Sequence, residues 1–155
     1  MVDRLTPDQR RLNMSGVRAK DTRPEMIVRR LLHSLGFRFR LHRRDLPGRP
    51  DIVLPRYRAA IFVHGCFWHG HDCSLFRMPA TRTEFWAAKI AANRRRDGDA
   101  MSELRDAGWR SMVVWECALR SRGRLPAPRL TDRITAFILG NTPFRAIREA
   151  GAEEA

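Results

Sequence analysis

Ten consecutive residues, His64-Gly65-Cys66-Phe67-Trp68-His69-Gly70-His71-Asp72-Cys73, constrain this chain more than any other segment. They put three histidines and two cysteines beside two large adjacent aromatics, a density that suits metal binding and supplies groups titrating near neutral pH. Zinc takes four tetrahedral ligands from thiolate and imidazole. Cys66, His71 and Cys73 are close enough in sequence to share one ion, with His69 as the competing choice for His71. The fourth ligand would be Cys117, at the end of a strand that can lie beside the strand leading into the cluster. Such a site ties a loop to a sheet, and with no open position the zinc would be structural. The bland alternative for Cys117 is a small buried core residue.

At 155 residues the chain has room for one domain with one core. Its 43% hydrophobic content suits a globular protein with polar ends rather than a disordered chain. No apolar run is long enough to span a bilayer and the N-terminus has no signal core, so a soluble cytoplasmic protein is expected. Thirty basic residues oppose 17 acidic ones, for a formal charge of +13. Only Lys20 and Lys89 are lysines. GC-rich coding explains that ratio but not the net charge, which points to a polyanion, most simply nucleic acid. With cysteines beside histidines, metal is favoured over disulfide.

Residues 1–20 are polar and basic and read as an arm contacting DNA, residues 21–140 as the domain, and 141–155 as a tail. Thr22-Arg23-Pro24-Glu25 has the form of a helix capping box, and Ile27, Val28, Leu31, Leu32 and Leu35 form one apolar face before Gly36. Phe37 to Leu41 alternates as a strand. Asp51 to Leu54 is a second strand, Pro55 to Arg58 a turn, and Ala59 to Val63 a third. A helix starts from a Thr83 cap and can be interrupted at Asp97-Gly98-Asp99. Arg110 to Trp115 is a fourth strand, a proline-bearing loop runs from Arg122 to Arg129, and Thr131 to Leu139 is a last helix. The order predicts an α/β fold: a central mixed sheet flanked by helices, with a meander of three strands and a parallel fourth.

Asp51 opens an apolar strand. A carboxylate there can hold Mg2+, although an ordinary turn aspartate looks the same locally. A hairpin through Pro55 to Arg58 would bring Asp51 beside Val63, next to His64. If zinc takes His71, then His64 and His69 are free, and one of them can activate water. Glu25 is either a supporting acid, a helix cap or both. Asp97 and Asp99 read as solvated charges. Phe67 and Trp68 form either a small cluster over the metal or a wedge that enters a base stack. Trp86 packs partly and can face the same groove, while Trp109 and Trp115 read as core.

Leu46-Pro-Gly-Arg-Pro-Asp51, Ile61-Phe-Val-His-Gly-Cys-Phe-Trp-His69, Pro79-Ala-Thr-Arg-Thr-Glu-Phe-Trp86 and Val114-Trp-Glu-Cys-Ala-Leu-Arg120 together resemble the very-short-patch-repair (Vsr) mismatch endonucleases. The resemblance covers roughly residues 10 to 140. It implies a restriction-endonuclease-like core and a Mg2+-dependent nick 5′ to the T of a T:G mismatch, the product of 5-methylcytosine deamination. It assigns Asp51 to magnesium, with the backbone carbonyl of Val63. It makes His69 the base, supported by His64 and Glu25, and gives zinc to Cys66, His71, Cys73 and Cys117. Met14, Phe67 and Trp68 would intercalate, and Trp86, Asn93 and Arg120 would join them against DNA. The expected partner is mismatched duplex, with mismatch-repair proteins as further candidates, and the expected state is a monomer at the bacterial nucleoid.

Two departures matter. Val63 stands where some members carry Thr, so a hydroxyl role is excluded while the carbonyl is kept. Gly70 and Asp72 replace histidines seen in some relatives. The alternatives are a zinc-stabilised nucleic-acid-binding module without catalysis, and a less selective nuclease of the same fold. Asp51 and His69 argue against the first, and the aromatic pair against the second.

Overall fold

The structure, a computed structural model, describes residues 20–151. Helix α1 (Arg23–Ser34) begins where Thr22, with extended backbone, accepts a hydrogen bond from the Glu25 N–H through Oγ1 at 3.3 Å. Its buried face carries Pro24, Glu25, Val28 and Leu32, and it stops before Gly36, which takes φ +82°. Strands β1 (Arg40–Leu41), β2 (Ile52–Leu54) and β3 (Ala59–His64) form an antiparallel meander. The turn between β2 and β3 is a single 3-10 turn, Pro55–Tyr57. Helix α2 (Thr83–Asp106) returns the chain so that β4 (Arg110–Trp115) lies parallel to β3. Helices α3 (Glu116–Arg120) and α4 (Ala127–Leu139) follow, and β5 (Phe144–Ile147) pairs parallel to β4. Spatial order in the sheet equals chain order, β1 to β5.

Period-two alternation on the central strands builds two cores. Ile61, Met112 and Val114 face Val28 and Leu32 of α1 and Ile134, Phe137 and Ile138 of α4. Ala60, Phe62 and Val113 face Leu104 of α2. The mixed sheet flanked by helices is thus the α/β architecture the sequence predicts. No helix among the described residues is long and apolar enough to cross a membrane.

Four details differ from the sequence expectation. The first strand is only Arg40–Leu41, because Phe37 and Phe39 pack on the core instead of pairing, Phe37 edge-on to Tyr57 at 5.8 Å. Helix α2 runs unbroken through Asp97-Gly98-Asp99, since a 24-residue helix absorbs one glycine facing open space. The last helix starts at Ala127, four residues early, immediately after Pro126, with α3 already formed before the loop. Residues 144–147 are not tail but the fifth strand, whose one buried side chain, Ile147, gives little periodic signal.

Candidate active site and metal centre

The β2–β3 hairpin sets Asp51 across from the end of β3. Its Oδ2 accepts from the Val63 N–H at 2.8 Å, one residue beyond Phe62, which the hairpin register sets opposite Asp51. The carboxyl is mostly buried. Burial first, and then the nearby Glu25 carboxylate, push it up to about 7, while the Val63 hydrogen bond pulls the other way. Glu25 itself is 2% exposed. Its Oε2 accepts from the Asp21 N–H at 3.1 Å, so the capping reach goes one residue beyond Thr22. The Arg29 guanidinium lies 3.2 Å from the same oxygen. His42, which no sequence signal marks, brings Nε2 to 3.0 and 3.1 Å from the two Glu25 oxygens.

At the end of β3, His64 is 7% exposed, and His69 stacks on it with centroids 3.8 Å apart and planes 5° off parallel. Asp97 of α2 binds His69 Nδ1 through Oδ2, and its Oδ1 is 4.0 Å from His64 Nε2. This corrects the reading of Asp97 as a solvated charge: the loop folds back onto the middle of α2. Burial, then the neighbouring His69, hold His64 down to about 3, with Asp97 opposing. Its Nδ1 is buried without a hydrogen-bond partner. Trp115 closes the group. It lies edge-on to His64 and His69 and flat on His71, 3.9 Å and 4°. It is therefore half-buried against the site and not simply core.

Cys66, His71, Cys73 and Cys117 bring their ligand atoms within 4.8 Å of one another. His71 Nδ1 lies 3.6 Å from the Sγ atoms of both Cys66 and Cys117. Tetrahedral zinc, with its usual bond lengths, requires a sulfur-to-nitrogen separation of about 3.6 Å. The His71 choice over His69 therefore fits, since His69 is engaged by Asp97. Backbone N–H groups also point at the sulfurs: Cys117 N to Cys66 Sγ at 3.3 Å, and Glu149 N to Cys117 Sγ at 3.4 Å. Hydrogen bonding from Cys66, and then the His71 ring, pull Cys117 down to about 4, while the pairing with Cys117 and then burial push Cys66 up. A divalent cation held by the group would let the remaining thiols ionise as well. The loop is clamped from two sides. Gly70 at φ +59° rests on α2 so closely that a Cβ would lie 2.5 Å from Ile90 Cγ2, which accounts for glycine here. Glu149 accepts from Ser74 N at 2.9 Å and Oγ at 2.6 Å, and Arg148 donates to the Asp72 carbonyl.

Phe67, Trp68 and Trp86 form a half-buried aromatic cluster outside both cores, with centroids 5.2 to 6.0 Å apart. Exposed Phe85 extends it, and Lys89 reaches over Trp68. Asn93 donates to the Trp68 carbonyl at 2.9 Å, so its side chain holds the loop. Arg120 pairs with Glu116, whose other oxygen accepts from the Cys66 N–H. Met14 lies outside the described residues.

The Vsr family model, DNA mismatch endonuclease Vsr, matches residues 2–75. The DNA mismatch endonuclease Vsr of Escherichia coli is 49% identical over 140 residues, 90% of each chain. The chain belongs to the Vsr family. The Type II nicking enzyme V.XorIIP of Xanthomonas oryzae is 56% identical over 127 residues, 82% of this chain and 93% of its own. V.NmeAIP of Neisseria meningitidis, also a Type II nicking enzyme, is 41% identical over 79% of this chain and 87% of its own. This Vsr-family chain is accordingly a DNA endonuclease, a hydrolase of DNA repair. The structure joins the sequence-predicted Asp51 to the Val63 N–H beside Glu25 and stacks His64 on His69; it adds His42 and Asp97, which sequence reading did not place there. The fold, not the sequence, places His42: β1 pairs Leu41 with Ile52, which leaves His42 opposite Asp51.

Proposed function

We propose that this Vsr-family chain nicks one strand of duplex DNA 5′ to the T of a T:G mismatch, in a Mg2+-dependent reaction that starts very short patch repair, on a restriction-endonuclease-like core. The carrying observation is the junction of Asp51 with Val63 N–H, set beside the His69–Asp97 pair. The Glu25 carboxylate lies close enough to Asp51 to raise its pKa, and that repulsion suits a divalent ion. Asp51 and the Val63 carbonyl would hold magnesium. When bound it would polarise the scissile phosphate and neutralise developing charge.

The chain's own groups divide the remaining work. A carboxylate only accepts, so Asp97 fixes the proton on His69 Nδ1 and leaves Nε2 free to take one from water. His64, neutral through burial, lies flat on His69 without repelling the imidazolium that forms. Zinc at Cys66, His71, Cys73 and Cys117 would brace the loop that carries both His69 and the aromatics. Phe67, Trp68 and Trp86, with Met14 from the 1–20 arm, suit a wedge that enters most cheaply where pairing is poor. Trp86 supports the wedge from α2, Asn93 steadies it, and Arg120 is placed to meet phosphate. The enzyme would act as a monomer.

The test is a strand-resolved nicking assay on T:G and matched duplexes, with and without Mg2+. Mg2+-dependent cleavage confined to the T strand of the mismatch is expected. Equal cleavage of matched DNA would remove the specificity, and no cleavage of either would remove the activity.

A further inference from the structure

We infer that His42 is a positioning residue for this centre, its ring holding the Glu25 carboxylate against that of Asp51. The inference rests on the proposed nicking function for its consequence, but its geometry stands alone. Among the described residues, His42 links the Asp51 backbone to the Glu25 carboxylate. Its backbone N–H donates to the Asp51 carbonyl at 3.0 Å, and its Nε2 lies 3.0 Å from Glu25 Oε1 and 3.1 Å from Oε2. It does so from φ +48°, a left-handed conformation uncommon outside glycine, although asparagine, aspartate and histidine adopt it more often than other residues.

The partners of Glu25 show why a second tether is needed. Oε2 is shared with the Asp21 N–H and with Arg29, whose guanidinium also binds Asp21 at 2.7 Å. Those contacts tie Oε2 to α1 and to Asp21, which precedes it. His42 binds from the β1 side and supplies the hydrogen bond seen at Oε1. A carboxylate only accepts, so Nε2 carries the proton. The same cluster, Asp21, Glu25 and His42, has the spacing of a metal site. Arg29 already lies on both acids there, so the positive charge it needs is provided, and the function left to His42 is orientation.

Two variants separate the ring's donor from the backbone's strain. His42→Asn suits the left-handed backbone but is too short to reach Glu25. His42→Gln carries an amide donor on a longer stem. At saturating Mg2+ and T:G duplex, single-turnover nicking should fall about 10-fold in His42→Asn and stay within about 3-fold of wild type in His42→Gln, as for a lost and a restored outer-shell hydrogen bond. Duplex affinity measured in Ca2+ should be unchanged in both. Wild-type speed in His42→Asn, or equal slowing in both variants, would overturn the role. Independently of nicking, the Nε2–H signal of His42, assigned by its loss in His42→Asn, should exchange slowly with solvent in 15N NMR. Fast exchange overturns the contact even if the wild type nicks. Slow exchange in a wild type that fails to nick would uphold the tether and remove the proposed function.

Discussion

Replacing Asp51 by Asn should stabilise the Mg2+-free protein while abolishing nicking. The carboxyl titrates at about 7 in the folded protein against an ordinary 3.8, because it is buried beside Glu25. Below 3.8 it is protonated in both folded and unfolded chains, and the variant gains nothing. Between 3.8 and about 7 the unfolded chain releases the proton while the folded one keeps it, so the native state loses stability as pH rises. Above 7 the penalty is constant. At about 1.4 kcal/mol per pH unit, the gap between variant and wild type reaches about 4 kcal/mol at pH 8 and about 2 kcal/mol at pH 5. Asn keeps an oxygen to accept from the Val63 N–H, so the hydrogen bond is not lost with the charge. Urea unfolding at both pH values measures the gap, in buffer without Mg2+ and without chelator, which would also strip zinc. Saturating Mg2+ should then close the gap at pH 8 by stabilising only the wild type. Equal stability of the two proteins at pH 8, or a gap that does not grow from pH 5, would refute the burial argument. DNA affinity of the variant should be equal or tighter, since a negative charge near phosphate is gone.

Cys117→Ala should lower zinc content and Tm together, because metal binding is linked to folding; full zinc retention at unchanged Tm would dismiss the Cys3His assignment. His69→Ala should slow single-turnover nicking by about 10²–10⁴ and more than His64→Ala, and the reverse ranking would move the base to His64. Phe67→Ala with Trp68→Ala should weaken binding to T:G duplex more than to matched duplex; if the affinity ratio survives, discrimination lies in direct base contacts.

The meander, the parallel crossover and the Asp51–Val63 junction were legible because each rests on local pattern: apolar runs, a proline turn, and strand register. The Cys/His cluster was legible because Cys66, His71 and Cys73 are neighbours in sequence, while only the fold brings Cys117 to them and gives His69 to Asp97. Asp97 was not legible. Beside Gly98 on a polar stretch it reads as a helix-end charge, and only the return of the loop onto α2 gives it two histidines. His42 hides in an arginine-rich segment, where its left-handed backbone leaves no compositional trace. Strand β5 was missed because an edge strand with one buried residue carries almost no periodicity. Its role comes from long-range pairing with β4, which no local window sees.

That late strand also sets a timetable. Residues 144–150 follow every other element in chain order, yet they carry the Glu149 N–H that faces Cys117 Sγ, the carboxylate that grips Ser74, and the Arg148 contact to Asp72. On the ribosome, the three upstream thiols emerge long before the segment that fastens their loop. A nascent chain therefore carries Cys66, His71, Cys73 and Cys117 before residues 148 and 149 arrive to fasten their loop.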